Sequence, residues 1–226
     1  MGKVTILPGT TRDPITKMGE MAGVCWRADT DDGEKDYQRG LDCIESGHGR
    51  VMEFVNVEMV LDGYSARVMR EWYTHIGGAP TRLQASTRYI DYHNFDYITP
   101  PSIKANPAMN ADYEAMMAAI GLMVNKLSAY VPREDAAMLL PLGMTTRVVD
   151  KRNLRNLVDM SRQRMCNRAY WEFRELFDDL SGALSLYSDE WEMITDHMFM
   201  PKCKAAGFCT EKHGCGMMPK RGEAEK

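Results

Sequence analysis

Two polar residues, Asn153 and Arg164, are spaced so that a helix would present them on one face. They are eleven positions apart, which gives an offset of about 20° after three turns and about 16 Å along the helix axis. Arg168 and Trp171 fall on the same side, opposite an apolar stripe. Arginine, asparagine and tryptophan on one face favour contact with a ligand or a second subunit, because a large aromatic is a common interface anchor. A solvated helix face is the alternative.

A second group of residues that could bind a metal ion lies near the C-terminus. Cys203, Cys209, His213 and Cys215 offer three thiolates and one imidazole, a ligand set that suits tetrahedral Zn²⁺. Their spacing is not a recurrent zinc-finger pattern, and the neighbouring lysines and glycines are equally typical of a flexible basic segment. We therefore expect one domain over residues 1–200 and a Cys-rich basic tail over residues 201–226, with both interpretations of the tail open.

The overall charge limits the partners of the chain. Its 28 Lys and Arg against 32 Asp and Glu give a net charge of −4. This balance argues against a surface built for polyanions, and so against nucleic acid as the main partner. No run approaches the roughly 18 apolar residues of a membrane helix, and the first residues lack the apolar core of a signal peptide. We expect no membrane association and a cytoplasmic location.

The secondary structure that positions these polar residues is predicted to differ between the two halves of the chain. Residues 51–61 have the alternation of a half-buried strand. Ser65 can cap a short helix that ends at Gly77-Gly78, and residues 83–98 are rich in β-forming aromatics. The first half therefore predicts strands with one short helix.

The second half of the chain is predicted to be mainly helical. A helix is expected after Asn110, with Met116 and Met123 on its apolar face, and a shorter one after Pro132. One long helix is expected from about residue 151 to residue 184, and it would carry both Asn153 and Arg164. Strands followed by helices predict an α+β fold with a single domain. The predicted core stripe of the long helix comprises Val158, Met165, Ala169, Phe173, Leu176 and Leu180.

Several runs of residues resemble the flavin-dependent thymidylate synthases (ThyX). The resemblance covers roughly residues 10–185 and is most specific in the C-terminal half. Residues 70–75 and 84–89 are similar to the two ends of the family signature R-H-R-x-x-S-x-N-E-x-S-x-R. The matching runs are Ser46-Gly-His48-Gly, Pro132-Arg-Glu-Asp-Ala-Ala-Met-Leu-Leu-Pro141, Thr146, Asn153-Leu-Arg155, Leu157, Arg164 and Ala169-Tyr-Trp-Glu172.

The resemblance implies a fold, an assembly and a reaction. The fold would be α+β, with a small antiparallel sheet and long helices, and the protein a homotetramer with active sites at subunit contacts. The reaction would be the reductive methylation of dUMP to dTMP. Methylenetetrahydrofolate would supply the carbon and NADPH the reducing equivalents through FAD, without a cysteine nucleophile.

The resemblance also assigns roles to individual residues. Arg164 matches the arginine that activates the uracil ring, and a permanently charged guanidinium suits this task. The nucleotide-binding positions are Gln84, Ser86, Arg88 and Arg164, and the flavin-binding positions are His75, Gln84, Asn153 and Arg155.

The chain departs from the family at several of these positions. Thr74 and Ala137 replace arginines, which removes two guanidinium groups that could contact phosphate. Asp159 replaces a flavin-contacting asparagine, and Gly77-Gly78 belongs to an insertion. The leading hypothesis is a flavin-dependent thymidylate synthase. The alternatives are a divergent relative with another pyrimidine nucleotide as substrate, and a non-catalytic nucleic-acid-binding module that uses the Cys-rich tail.

Overall fold

The structure is a computed structural model that describes residues 2–223, so residues 224–226 of the predicted tail lie outside the described part. It contains strands, helices and three short 3₁₀ turns, at Val24–Trp26, Val51–Phe54 and Ala137–Leu139. The strands are β1 (Lys3–Ile6), β2 (Asn56–Ser65), β3 (Thr81–Gln84) and β4 (Thr145–Asn153). The helices are α1 (Pro14–Gly23), α2 (Gly33–Glu45), α3 (Ala66–Trp72), α4 (Pro101–Lys104), α5 (Pro107–Ser128), α6 (Arg133–Ala136), α7 (Leu154–Arg164), α8 (Trp171–Ser185), α9 (Asp189–Met198) and α10 (Lys202–Ala206).

The strands form one antiparallel sheet in the order β1-β2-β4-β3. The predicted α+β class with a small antiparallel sheet is confirmed. Among residues 2–223, no helix combines the length and the apolar character needed to cross a membrane.

The chain divides into two compact units, and the first comprises Leu61–Thr74 and Leu83–Val149 with the N-terminal residues up to Lys3. Its buried side chains include Leu61 and three residues of α3, namely Val68, Met69 and Trp72. Ser65 caps α3 by accepting a hydrogen bond from the Val68 amide at 3.1 Å, as the sequence predicts.

The second unit comprises Val4–Val60, His75–Arg82 and residues from Asp150 onward. Its apolar centre includes the buried faces of α8 and α9, where Phe173, Phe177 and Trp191 are fully buried. The stacked rings of Phe173 and Phe177 lie 6.4 Å apart between centroids. This core places α7 and α8, the two helices that carry the predicted catalytic face.

The prediction of one helix from residue 151 to residue 184 is wrong. Residues up to Asn153 belong to β4, α7 ends at Arg164, and α8 begins at Trp171. Arg174 donates a hydrogen bond to the Asn167 carbonyl across the break. The intervening segment contains neither Gly nor Pro, so the two strongest helix-stop residues are missing from it. In the predicted core stripe, Val158, Phe173, Leu176 and Leu180 are buried, whereas Met165 and Ala169 are half-buried in the break.

Other boundaries also differ from the prediction. Residues 51–54 form a 3₁₀ turn instead of a strand, and α3 ends before Gly77. Beyond β3, residues 85–98 form loops and one antiparallel bridge from Tyr97 to Met144. On the predicted apolar face of α5, Val124 is buried as expected, whereas Met116 is 58% and Met123 45% exposed and Met117 is buried instead.

Candidate active site

Arg164, at the C-terminal end of α7, contacts two rings in the second unit. Its Nε donates a hydrogen bond to Nε2 of His75 at 2.9 Å. Its guanidinium carbon lies 4.8 Å from the centroid of the Phe173 ring, within the range of a cation–π interaction. The His75 ring packs edge-on against the same phenylalanine, with centroids 6.0 Å apart. The structure therefore brings together two of the predicted site residues, His75 and Arg164, and adds Phe173.

The protonation state of His75 follows from this environment. Its pKa is lowered to about 4, first by burial and then by the positive charges of Arg164 and Arg152. At neutral pH the imidazole is uncharged, and it carries its proton on Nδ1 because Nε2 accepts from Arg164. His75 can therefore offer a hydrogen bond to a ligand but no positive charge.

A buried ion pair lies at the β4–α7 junction, and the sequence interpretation missed it. The side chains of Asp150 and Arg152 are both completely buried. Arg152 donates from Nε and Nη2 to the two carboxylate oxygens at 2.6 and 2.7 Å, and from Nη1 to the Asn156 side-chain oxygen at 2.6 Å. Removing one partner of such a pair leaves an unpaired charge in the core, which is strongly destabilising. The network therefore fixes the start of α7.

Asn153, predicted to bind flavin, caps α7. Its Oδ1 accepts from the Asn156 amide at 2.9 Å, and its side chain is buried. The Gly77-Gly78 insertion packs directly on this cap. A Cβ on Gly78 would lie 2.2 Å from Nδ2 of Asn153, and Gly78 has a φ of +72°. Both the close approach and the left-handed conformation explain why glycine occupies this position.

Arg155, the other predicted flavin ligand in α7, is in a different setting. It forms an ion pair with Glu53, Nη1 to Oε1 at 2.5 Å, and both side chains are about half exposed, at 50% and 44%. A Cβ on Gly49, in the Gly-His segment, would lie 3.7 Å from its Nε. An exposed pair of this kind contributes little to stability, so an anionic ligand can displace Glu53 at low cost.

Gln84, Ser86 and Arg88, the predicted nucleotide ligands, follow one another in the first unit. Gln84 Nε2 donates to the Thr146 hydroxyl at 3.2 Å, and Ser86 Oγ accepts from the Arg88 amide at 3.2 Å. The Arg88 guanidinium lies 5.2 Å from the centroid of the adjacent Tyr89 ring. Gln84 and Arg88 are exposed, so their side chains are accessible to a ligand.

Arg164 also lines a cavity of about 790 Å³. Asp159, which the resemblance predicts to stand in place of a flavin-contacting asparagine, lines the same cavity. Other lining residues come from the C-terminal segment and include Lys202 and Glu211. Cavities of this size hold small-molecule ligands.

The four predicted zinc ligands do not form a metal site in this structure. Among the described residues, no group of three or more His, Cys, Asp or Glu side chains is arranged to hold a metal ion. Cys203, Cys209 and Cys215 line the Arg164 cavity, together with Cys166, whereas the carbonyl of His213 accepts from Arg168 at 3.3 Å. The donor set does not fit zinc as arranged, and zinc binding by the tail stays a prediction.

The fold places this arrangement in a known structural class. A crystal structure of Thymidylate Synthase X (ThyX) from Helicobacter pylori with FAD and dUMP superposes with a TM-score of 0.65. The likeness covers 87% of this chain and 100% of that chain at 17% sequence identity. At this identity the likeness shows the fold alone: the class is that of the ThyX-type α+β proteins.

Sequence comparison identifies the family. The model of the family described as "Thymidylate synthase complementing protein" matches residues 7–184. The flavin-dependent thymidylate synthase of Nitratidesulfovibrio vulgaris is 30% identical over 189 residues, which cover 79% of this chain and 75% of that protein. The enzyme of Thermococcus onnurineus is 29% identical over 185 residues, with the same coverage of both chains. The chain belongs to the flavin-dependent thymidylate synthase family.

Proposed function

We propose that this protein is a flavin-dependent thymidylate synthase that converts dUMP to dTMP by reductive methylation at carbon 5 of the uracil ring. The observation that carries the proposal is the placement of Arg164, whose guanidinium is held by His75 and Phe173 at the wall of a ligand-sized cavity. Methylenetetrahydrofolate is the carbon donor and NADPH the source of reducing equivalents.

Arg164 activates the pyrimidine. Uracil accepts a hydride poorly until electron density is withdrawn into its carbonyl groups, so a fixed cation at the ring lowers the barrier. Arginine suits this role because it stays charged and presents its donors in one plane. The hydrogen bond from Nε to His75 sets the orientation of that plane.

The proposed flavin ligands are His75, Gln84, Asn153 and Arg155. Their chemistry fits FAD, since a half-exposed guanidinium can contact a pyrophosphate and the neutral imidazole and the amides can form hydrogen bonds. When bound, FAD carries the reducing equivalents from NADPH to the pyrimidine. Asn153 uses its oxygen to cap α7, so its part in flavin binding would be to hold the start of α7 in place.

The proposed nucleotide ligands are Gln84, Ser86 and Arg88, together with Arg164. Arg88 is exposed and can contact phosphate, and the Ser86 hydroxyl can donate a hydrogen bond near the pyrimidine. Gln84 replaces a family glutamate, so it preserves hydrogen bonding while removing a negative charge beside two anionic ligands.

A homotetramer is the proposed assembly, and α5 supports it. This helix is apolar on most of its circumference, yet Met109 is 58% exposed, Met116 58% and Leu122 73%. A helix that is apolar all round is normally buried, so another copy of the chain would cover it. Multi-angle light scattering on the purified protein should give a mass of four chains.

We also propose a cytoplasmic location. All six cysteines lie among the described residues and are free thiols, which fits a reducing compartment.

Flavin binding and product formation test the function. Purified protein should show bound-flavin absorption, either as isolated or after incubation with FAD. It should then form dTMP when NADPH, dUMP and methylenetetrahydrofolate are supplied together. Protein that binds no flavin and forms no dTMP would contradict the proposal and leave the non-catalytic alternative.

A further inference from the structure

Arg133 of α6 contacts the loop that follows β3. Its Nη1 donates a hydrogen bond to the backbone carbonyl of Tyr89 at 2.9 Å, so it links two segments that are 44 residues apart in the chain. Both residues are exposed, and both belong to the first unit. The loop is the one that carries Ser86 and Arg88, two of the proposed nucleotide ligands.

These ligands lie in a tight turn, residues 86–90, which we call the nucleotide turn. The amides of Tyr89 and Ile90 donate to the Ser86 carbonyl at 3.3 and 3.1 Å. The Ser86 hydroxyl accepts from the Arg88 amide at 3.2 Å. The turn's own hydrogen bonds fix its shape, so a contact from outside holds or releases it as a unit.

Tyr89 connects Arg133 to Arg88. The Arg88 guanidinium carbon lies 5.2 Å from the centroid of the Tyr89 ring, within the range of a cation–π interaction. Arg133 binds the backbone carbonyl of the same tyrosine. A displaced Tyr89 would therefore move the ring on which the Arg88 side chain rests.

The packing and the charges around Arg133 favour the same role. Arg133 lines a small cleft together with Thr87 and Ile90 of the nucleotide turn. The pKa of Asp91, the next residue in the loop, is lowered, first by hydrogen bonds from His93 and last by the positive charge of Arg133. The loop and α6 therefore attract each other through opposite charges as well as through the hydrogen bond.

Ala137 makes the contact significant for this chain. It stands where the resemblance places an arginine that helps to hold the nucleotide, four positions after Arg133, and it lines the same cleft. A methyl group can donate no hydrogen bond. The guanidinium that contacts the nucleotide turn from this side therefore comes from Arg133.

We propose that Arg133 is a positioning residue, which holds the nucleotide turn through the Tyr89 carbonyl so that Ser86 and Arg88 face the nucleotide. The inference rests on the proposed function and deepens it, because it adds a residue that controls nucleotide affinity without touching the nucleotide. The proposed phosphate contact stays with Arg88.

The test compares two exposed arginines of the first unit. Arg133→Met keeps an unbranched side chain and removes the guanidinium. Arg147→Met is the matched control, because Arg147 pairs with Asp62 at 3.1 Å and both of these side chains are well exposed. Titration calorimetry on the flavin-loaded full-length protein measures dUMP binding, and steady-state assays give kcat and KM.

Loss of the hydrogen bond that orders the turn should raise the Kd and the KM for dUMP about three- to tenfold in Arg133→Met. The kcat at saturating dUMP, the flavin absorption and the thermal midpoint should stay at their wild-type values. Arg133→Lys should retain most of the affinity, because an ammonium group can also donate to the carbonyl. Arg147→Met should bind dUMP as the wild type does, and equal dUMP affinity in wild type and Arg133→Met would overturn the inference.

Two further measurements separate positioning from direct contact. Deoxyuridine lacks the phosphate, and its binding should weaken as well in Arg133→Met, because the turn also places Ser86 near the pyrimidine. A loss confined to dUMP would overturn the inference, since Arg133 would then contact the phosphate itself. In an Arg88→Met background the fold-loss caused by Arg133→Met should be smaller, and equal losses in both backgrounds would show that the two residues act independently.

The inference and the proposed function fail in different ways. If the wild-type protein forms dTMP and Arg133→Met binds dUMP normally, only the positioning role is refuted. If the wild-type protein binds no flavin and forms no dTMP, the proposed function itself is refuted.

Discussion

The two ends of α7 are built on opposite principles. At its start, Arg152 is completely buried and its guanidinium donates hydrogen bonds to Asp150 and Asn156. At its end lies Arg162, and Arg168 follows in the α7–α8 connection; both are exposed and pair with exposed carboxylates. Arg164 is intermediate, since it is half-buried against His75 and Phe173.

The difference shows how one helix can serve both a fixed and an adaptable function. A buried, fully hydrogen-bonded network holds one geometry, because any rearrangement would leave a charge unpaired in the core. Exposed ion pairs exchange partners readily, since water screens the charges in either arrangement. The start of α7 therefore positions the site, while its end is suited to binding and releasing anionic ligands.

The largest expected effect is at the fixed end. Arg152→Met removes the guanidinium that donates two hydrogen bonds to the buried Asp150 carboxylate, so we expect a loss of about 3–5 kcal/mol in the free energy of unfolding. Denaturant titration followed by circular dichroism measures it. The double variant Asp150→Val/Arg152→Met is the matched control, because it carries the same Arg152 substitution without the buried carboxylate and should recover most of the loss. Equal losses in the single and double variants would show that the ion pair is not the cause.

The Gly78 turn should give the next largest effect. Gly78→Ala places a Cβ in a left-handed conformation and 2.2 Å from Nδ2 of Asn153, so we expect a destabilisation of about 2 kcal/mol or more. Gly182→Ala, inside α8 with open space around the new Cβ, should instead stabilise by about 0.5–1 kcal/mol. Thermal unfolding of both variants checks the sign, and a stabilising Gly78→Ala would refute the described packing.

His75 should make stability depend on pH. Its folded-state pKa of about 4 lies below the ordinary value of 6.5, so the unfolded chain binds the proton first as the pH falls. Its contribution is present above pH 6.5 and is lost between pH 6.5 and about 4. We expect about 1–2 kcal/mol, because the imidazole is only half-buried and partly screened. The variant His75→Gln should lack this component, and an identical pH profile in the variant would contradict the assignment.

The smallest effect is expected at the adaptable end. Glu211→Gln removes one exposed ion pair with Arg168, which should cost about 0–1 kcal/mol of stability and less at high salt. Unfolding at low and high ionic strength measures the change. A loss above about 2 kcal/mol would mean that this end is as rigid as the start of α7.

The sequence predicted the fold class and several local features for physical reasons that can be identified. Ser65 precedes an apolar helical pattern, so its role as the cap of α3 could be predicted from the sequence. In α8 the buried side chains recur with a helical period, so Phe173, Leu176 and Leu180 were assigned correctly to the core. Features that depend only on residues within one helix or strand could therefore be predicted from the sequence.

Strand β4 was missed because its pattern is misleading. The buried positions alternate as Thr146, Val148, Asp150 and Arg152, so two of the inward residues are charged and the apolar alternation is broken. Only the tertiary structure shows that these two charges neutralise each other. The alternation of positions and the opposite charges at residues 150 and 152 were the signals available in the sequence.

The candidate site was partly predictable. Arg164 and His75 were selected by family resemblance, and the structure brings them to 2.9 Å of each other. Phe173 was assigned only to the core, because packing and cation–π contact cannot be told apart from a sequence. The contribution of the tail to the cavity was not foreseen, since it depends on how residues 201–218 fold back towards α7.

The most direct test of the central claim is dTMP formation by Arg164→Ala. With saturating FAD, NADPH, dUMP and methylenetetrahydrofolate, loss of the activating cation should lower kcat by about 10²–10³ while bound-flavin absorption persists. Lys204→Ala should retain the wild-type rate. An Arg164→Ala protein that is folded, flavin-bound and fully active would contradict the account.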